Sequence, residues 1–245
     1  MDYNKIIDNY MQLHSHKGMQ LRAVLFDMDG VLFDSMPYHA AAWSQVMTDA
    51  GYKFSKEDVY MNEGRTGADT INTASLAQFG KTATQEQIDA LCIAKCELFD
   101  TYPTTQRMPG ALELVKKVKE CGLTPMIVTG SGTPTLLDRI QSNFPGLFDA
   151  NHIVSSFNVK RGKPYPDPYL LALEKGGFKT NEAIVVENAP LGVTAGVAAG
   201  LFTIAANTGP LKDEVLAEAG ASLVFPSMQA LCEEWENLYN EFCNQ

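Results

Sequence analysis

Apolar residues along this chain recur in two alternating periods, and the alternation predicts its architecture. Ala23-Val24-Leu25-Phe26 is an unbroken apolar run of strand length that ends in the acidic turn Asp27-Met28-Asp29-Gly30. A run apolar on both faces suits a strand buried inside a parallel sheet. From Tyr38 to Gly51 the period becomes helical, with Trp43, Val46, Met47 and Ala50 on one face and Gly51 as a stop. Ser55 with Asp58, and Thr84 with Gln87, read as capping boxes for two further helices, the second carrying Ile88, Leu91, Cys92, Leu98 and Phe99. No strand pattern of comparable quality precedes Arg107. Residues 38–107 are therefore predicted as an all-helical insert, entered at Ser35-Met36-Pro37 and left at Arg107-Met108-Pro109-Gly110. Both junctions adjoin the acidic turn, as for a lid on a hinge.

After Gly110 helices and short strands alternate. Leu112, Val115 and Val118 share a helix, and Met126-Ile127-Val128 is a strand with Pro125 at its start. The loop Thr129-Gly130-Ser131-Gly132 leads to Pro134, at a favoured first-turn position of a helix with Leu136, Leu137 and Ile140. Ile153-Val154, residues 183–186, 201–206 and 223–225 read as strands. A helix from Asp167 ends at Gly176-Gly177, another of small residues runs through Gly200, and a last one carries Leu231, Trp235 and Leu238. This order predicts an α/β fold, a Rossmann-like and mostly parallel sheet covered on both faces, formed by residues 21–37 and 108–245. Residues 1–20 read as an N-terminal extension, helical around Ile6, Ile7, Tyr10 and Met11.

Composition narrows the choice of partner. At 245 residues, with 45% hydrophobic and 20% charged positions, the chain is an ordinary globular one. Its net charge of −10 argues against nucleic acid or an anionic membrane as partner. No run of about 18 apolar residues marks a membrane span, and the first twenty residues lack the apolar core of a signal peptide. Five cysteines, at 92, 96, 121, 232 and 243, show no zinc-type clustering and read as buried thiols of a cytoplasmic protein.

Four polar clusters follow strands or open helices: Asp27/Asp29, Thr129-Gly130-Ser131, Lys163 in Gly162-Lys163-Pro164, and Glu187-Asn188. In an open α/β sheet all four converge beyond the carboxyl ends of the strands. On an extended strand Asp27 and Asp29 can face one pocket. Two carboxylates crowded there call for a cation, and Mg²⁺, which bridges carboxylates to phosphate, is the candidate. Each cluster alone has a plainer explanation: a polar turn, a helix cap, a solvated lysine. Their joint occurrence in this order does not.

In this order the clusters resemble the haloacid dehalogenase superfamily, in its beta-phosphoglucomutase-like branch with a helical cap inserted after the first strand. The resemblance spans about residues 21–225 and includes Tyr38-His39, Ala42-Trp43 and Met108-Pro109-Gly110. It implies Asp27 as nucleophile forming an aspartyl-phosphate, and Asp29 as general acid and then general base. It implies that Thr129, with Gly130 and Ser131 at the helix start, holds phosphoryl oxygens, and that Lys163 neutralises charge between Asp27 and the phosphoryl group. Mg²⁺ is implied at Asp27, the Asp29 carbonyl and the Glu187/Asn188 loop.

Two departures bear on substrate. Asn188 stands where the mutase has a second acid, and Glu63 stands where it has a lysine. Gly67 replaces the arginine that clamps the sugar's second phosphate, with Arg65 nearby as a substitute. These changes can be linked: Glu63 reaching down on closure would supply the metal charge missing at Asn188, leaving a small cavity for pyrophosphate or a very small phosphate ester. The expected activity is accordingly a Mg²⁺-dependent phosphohydrolase of a small phosphorylated substrate. A mutase using His39, Arg65 or cap lysines is the alternative, and a non-catalytic phosphate binder a remote one.

Overall fold

The computed structural model describes residues 2–103, 106–132 and 136–244. Its elements run in the order α1 (Tyr3–Leu13), β1 (Ala23–Phe26), α2 (Met36–Asp49), α3 (Lys56–Met61), α4 (Gly67–Phe79), α5 (Gln85–Asp100), α6 (Ala111–Glu120), β2 (Thr124–Val128), α7 (Leu136–Asn143), β3 (Ile153–Val154), α8 (Asp167–Gly176), β4 (Ala183–Glu187), α9 (Pro190–Ala198), β5 (Phe202–Ala206), α10 (Asp213–Glu218), β6 (Leu223–Phe225) and α11 (Met228–Cys243). All six strands are parallel, in the spatial order β3-β2-β1-β4-β5-β6. β1 is central, with Ala23 paired to Thr124 on one side and Ala183 on the other. The chain runs outward from β1 to β3 and then crosses back to β4, so the crevice of an α/β sheet opens at the carboxyl end of β1.

Alternation along β1 divides the core in two. Val24 and Phe26 face a cluster with Leu114, Val118, Leu231, Trp235 and Leu238, while Ala23 and Leu25 face Tyr169, Ala172, Leu173 and Ala195. A third cluster belongs to α2–α5 alone, built from Met36, Met47, Tyr52, Phe54, Val59, Ile71 and Ile88. Both predicted capping boxes form, at Ser55/Asp58 and Thr84/Gln87. Between them lies α4, which the apolar spacing did not single out; Thr66 caps it by accepting from Asp69 N, and Gly80 ends it in the left-handed region. The two connections to the insert pair with each other. Asp34 N donates to Gln106 O at 2.9 Å and Met108 N to Leu32 O at 2.9 Å.

Two expectations need correction, and a third lies beyond the described residues. Leu137 points outward at 47% exposure, because Leu136 and Ile140 already fill the core side of α7. Of the five cysteines only Cys232 is buried, and all are free. Pro134 lies outside the described residues.

The N-terminal helix completes the core. Asp2 caps α1 by accepting from Lys5 N at 3.1 Å. Ile7 is fully buried, and the Tyr10 ring meets Phe202 edge-on while its hydroxyl donates to Gly200 O at 2.7 Å. Truncating Ile7 to Ala removes a fully enclosed side chain and is expected to cost about 2–5 kcal/mol in urea denaturation.

Burial also pushes the Tyr10 phenol up to about 12. Because its folded-state pKa lies above the ordinary value of 10.0, its stabilisation is complete below that pH and is lost as the pH rises toward 12. Tyr3 and Tyr239 shift in the same direction. Tyr10→Phe is therefore expected to flatten, in part, the alkaline fall in Tm, measured as its slope against pH.

Candidate active site

β1 delivers Asp27 to the crevice, and its pairing continues one residue further, with Asp27 N donating to Val186 O at 2.9 Å. Gly30 then turns the chain at φ +87, and a side chain there would run into that of Asn188. Behind Asp27 sits a buried ammonium. Lys163 Nζ donates to Asp27 Oδ1 at 2.5 Å, Glu187 Oε1 at 2.5 Å and Val128 O at 2.9 Å. All three of its protons are used, and it is 1% exposed. Tyr169 also donates to Glu187 Oε1, at 2.6 Å, and Asn188 N donates to Oε2 at 3.1 Å. Burial would lower the Lys163 ammonium, but Asp27 and Glu187 outweigh it and raise its pKa. Burial pushes the Asp27 carboxyl up to about 8; Lys163 opposes the shift, while Glu187 and Asp29 add to it.

Asp29 faces the same cavity from the other side of the turn. Ser35 Oγ donates to its Oδ1 and Ser131 Oγ to its Oδ2, both at 2.6 Å. His39 Nε2 and Arg139 Nη1 approach Oδ1 at 3.3 and 3.7 Å. Burial alone would raise this carboxyl, but His39, Arg139 and Ser131 hold it well below the usual carboxylate range. Lys95 Nζ contacts His39 Nδ1 at 2.9 Å. An ammonium can only donate, so Nδ1 accepts and a neutral imidazole carries its proton on Nε2, toward Asp29. Burial pushes the His39 pKa down and favours that neutral form.

The remaining expected residues fall around one cavity of about 850 Å³, lined by Asp27, Asp29, His39, Glu63, Arg65, Thr129, Gly130, Ser131, Lys95 and Arg139 among others. Thr129 is buried, and its Oγ1 accepts from Ser131 N at 3.0 Å, shaping the loop that displays Gly130 and Ser131. Glu63 Oε1 accepts from Asn188 Nδ2 at 2.9 Å across the junction of insert and core. The loop around it packs tightly: a side chain at Gly130 would meet Gly64 O at 2.7 Å, and one at Gly64 would meet Lys163 Cδ at 2.9 Å. Arg65 Nε donates to Asn62 Oδ1 at 3.0 Å, and the residue lines the cavity. Lys163, Glu187 and Asn188 do not line the cavity, since they stand behind its wall. Arg139 was not anticipated, and Lys95 only as one of the cap lysines. Each lies on a helix face, and only the folded chain shows that it turns toward Asp29.

The donor set suits a hard cation. Asn188 Oδ1 is buried with no hydrogen-bond partner, an acceptor that calls for a cation or a donor. Burial and then Asp27 push the Glu63 carboxyl well above its usual range, with Glu187 and Asp29 adding to the shift. Four carboxylates thus share a small region in which, among the described residues, only Lys163 is fully buried as a cation. Glu187, expected among the ligands, has both oxygens engaged by Lys163, Tyr169 and Asn188 N, so the amide of Asn188 is the open group of that loop. Among the described residues no three His, Cys, Asp or Glu side chains could hold a metal by themselves. Mg²⁺ does not require them, because it usually takes one or two carboxylates, waters and a substrate phosphate.

A parallel sheet with an acidic pair at the end of its central strand, a small-residue loop at the end of the neighbouring β2 and a buried lysine behind them defines an enzyme that handles phosphoryl groups. Residues 21–200 match the haloacid dehalogenase-like hydrolase family, and the chain belongs to it. Hexitol phosphatase A of Escherichia coli is 32% identical over 189 residues, 77% of this chain and 84% of that one. Fructose-1-phosphate phosphatase YqaB of the same organism is 31% identical, covering 74% and 94%. A Bacteroides vulgatus structure provisionally named a beta-phosphoglucomutase superposes with a TM-score of 0.95, at 56% identity and over 98% of both chains. Among the described residues no helix is long and apolar enough to cross a membrane.

Replacing Lys163 with Met would leave Asp27 and Glu187 buried without their counter-charge. A loss of about 3–5 kcal/mol is expected in chemical denaturation, and the variant should also lose turnover.

Proposed function

We propose that the chain is a Mg²⁺-dependent phosphohydrolase that passes a phosphoryl group from a small substrate to Asp27 and then to water. The observation that carries this reading is Asp27 itself, a carboxylate at the end of the central strand, facing a cavity and backed by Lys163. An Asp27 carboxylate oxygen attacks phosphorus, the bond to the leaving oxygen breaks, and Asp29 supplies the proton that oxygen needs. In the second half a water attacks the aspartyl-phosphate, Asp29 takes its proton, and phosphate leaves with Asp27 restored. The described arrangement, with Asp29 held ionised, is that of the base. The Thr129 hydroxyl and the Gly130 N–H offer donors to phosphoryl oxygens, Ser131 shapes that loop and holds Asp29 with its own two donors, and Lys163 offsets charge on Asp27. Mg²⁺, held by Asp27, the Asp29 carbonyl and Asn188, would neutralise the transferring group. Helices α2–α5 act as a cap whose loop at 62–66 closes the cavity and excludes water.

A small polyol or sugar phosphate ester is the favoured substrate. The relatives named above are phosphatases of a hexitol phosphate and fructose 1-phosphate, and a yeast relative is named a glycerol-1-phosphate phosphohydrolase. A cavity of about 850 Å³ has room for such a molecule. Pyrophosphate, the narrower sequence-based expectation, is not supported, and the contact of Glu63 with Asn188 does not by itself select it. It presumes a smaller cavity than the one described, and none of those relatives is named for it. The mutase reading is supported by the Bacteroides vulgatus structure, while Gly67 stands where the mutase has its phosphate-clamping arginine.

Asp27→Asn should abolish turnover while Tm is kept, and chelation should remove activity that Mg²⁺ restores. A panel of hexitol phosphate, glycerol 1-phosphate, pyrophosphate and beta-glucose 1-phosphate, scored for phosphate release and for glucose 6-phosphate, separates the readings. Faster release from the esters is expected; faster release from pyrophosphate, or isomerisation without release, would replace this reading. Glu63→Ala should weaken Mg²⁺ activation by about tenfold or more.

A further inference from the structure

Resting on Asp29 as the acid and base of that reading, we infer that Arg139 is a positioning residue that fixes the orientation of the Asp29 carboxylate from the core side. Asp29 is gripped from two directions. Ser35 is the N-cap residue of α2 and His39 lies within that helix, so both belong to the insert and its hinge. Ser131 and Arg139 belong to the core, on the loop after β2 and on α7. Any opening of the insert carries Ser35 and His39 with it, and the core pair is then what keeps the carboxylate in place.

Arg139 is built for that purpose. On α7 it follows Leu136 by three residues and precedes Ile140 by one, and both of those are buried in the core. Its guanidinium carbon lies 3.9 Å over the ring of Phe33. Phe33 is fully buried, meets Phe144 edge-on with ring centroids 5.5 Å apart, and forms bridges with both Asp29 and Arg107. The surface that supports the guanidinium is thus part of the same turn that carries Asp29. A planar cation on an aromatic face gains most when it is shielded from water, and the Arg139 side chain is 23% exposed. Of the two Asp29 oxygens, Arg139 faces Oδ1 at 3.7 Å, and Ser131 holds Oδ2. Fixing both oxygens from the core sets the plane of the carboxylate, which decides whether it meets the leaving oxygen or the incoming water in line.

The test compares Arg139→Met, Arg139→Lys, Asp29→Asn and the Asp29→Asn/Arg139→Met pair, by steady-state kinetics on the best ester of the panel and on p-nitrophenyl phosphate, whose leaving group needs no acid. Arg139→Met should lower kcat by about tenfold or more with KM within about twofold, a share of the loss that removing a proton-transfer group brings. Arg139→Lys keeps the charge without the planar stack and should recover part of that kcat, which also covers the case of a Met variant that does not fold. In the Asp29→Asn background the Met change should cost under about twofold, since the group it positions is gone. Losses that multiply in the pair, or a raised KM with kcat intact, overturn the inference and make Arg139 a substrate contact. Should Asp29→Asn alone leave ester turnover unchanged, the acid–base reading falls with it; a large Asp29 effect beside an inert Arg139→Met sinks only the present inference.

Discussion

One buried ammonium organises this site. Lys163 reaches from the loop before α8 to the ends of three parallel strands, where it binds Asp27 beyond β1, Glu187 at the end of β4 and the Val128 carbonyl at the end of β2. Two carboxylates could not be buried there without a cation, and a lysine could not be buried there without them. Glu187 is further fixed by Tyr169 and by the close backbone of Gly192, where a Cβ would collide with its carboxylate. The Asp27 carboxylate is therefore held by residues that lie behind the cavity wall and take no part in lining it.

The insert is joined to this cluster through backbone as much as through side chains. Gly64 lies against both Lys163 and Gly130, Thr66 approaches Gly162, and Glu63 meets Asn188. Such close approach of two chains is available only where side chains are missing, which gives these glycines a packing reason. It also places the Glu63 carboxylate of the insert beside the Asn188 amide of the core. Asp29 occupies the corresponding position on the other side, held by two hydroxyls that come one from each half.

Much of this was legible in the sequence, because it depends on local patterns. The apolar run before Asp27 marked the central strand, the boxes at Ser55 and Thr84 marked two insert helices, and the four polar clusters follow strands in the order the sheet brings together. What depends on orientation was not. Glu187 reads as a metal ligand by position, and only the folded chain shows that Lys163 and Tyr169, distant in sequence, also donate to it. Lys95 and Arg139 are single cations on helices, and nothing in their spacing separates them from solvated ones. The helix α4 lies in a stretch of small and polar residues whose apolar face is discontinuous. The width of the cavity, finally, follows from how the insert sits on the core, and that is a property of no single segment.

The docking of α1 has a consequence for how the chain reaches this state. Tyr3 bonds to Glu234 across 231 positions, and Ile7 and Tyr10 share their cluster with Trp235, Leu238 and Phe242 of α11. One face of the sheet, which α6 and α7 cover in part, is thus completed by two helices that meet only after everything between them has been laid down. Contacts of such long sequence separation carry a high loop-closure cost and form late. During synthesis the strands would have assembled with the part of that face under α1 and α11 still bare, and its apolar surface is what a growing chain would expose longest.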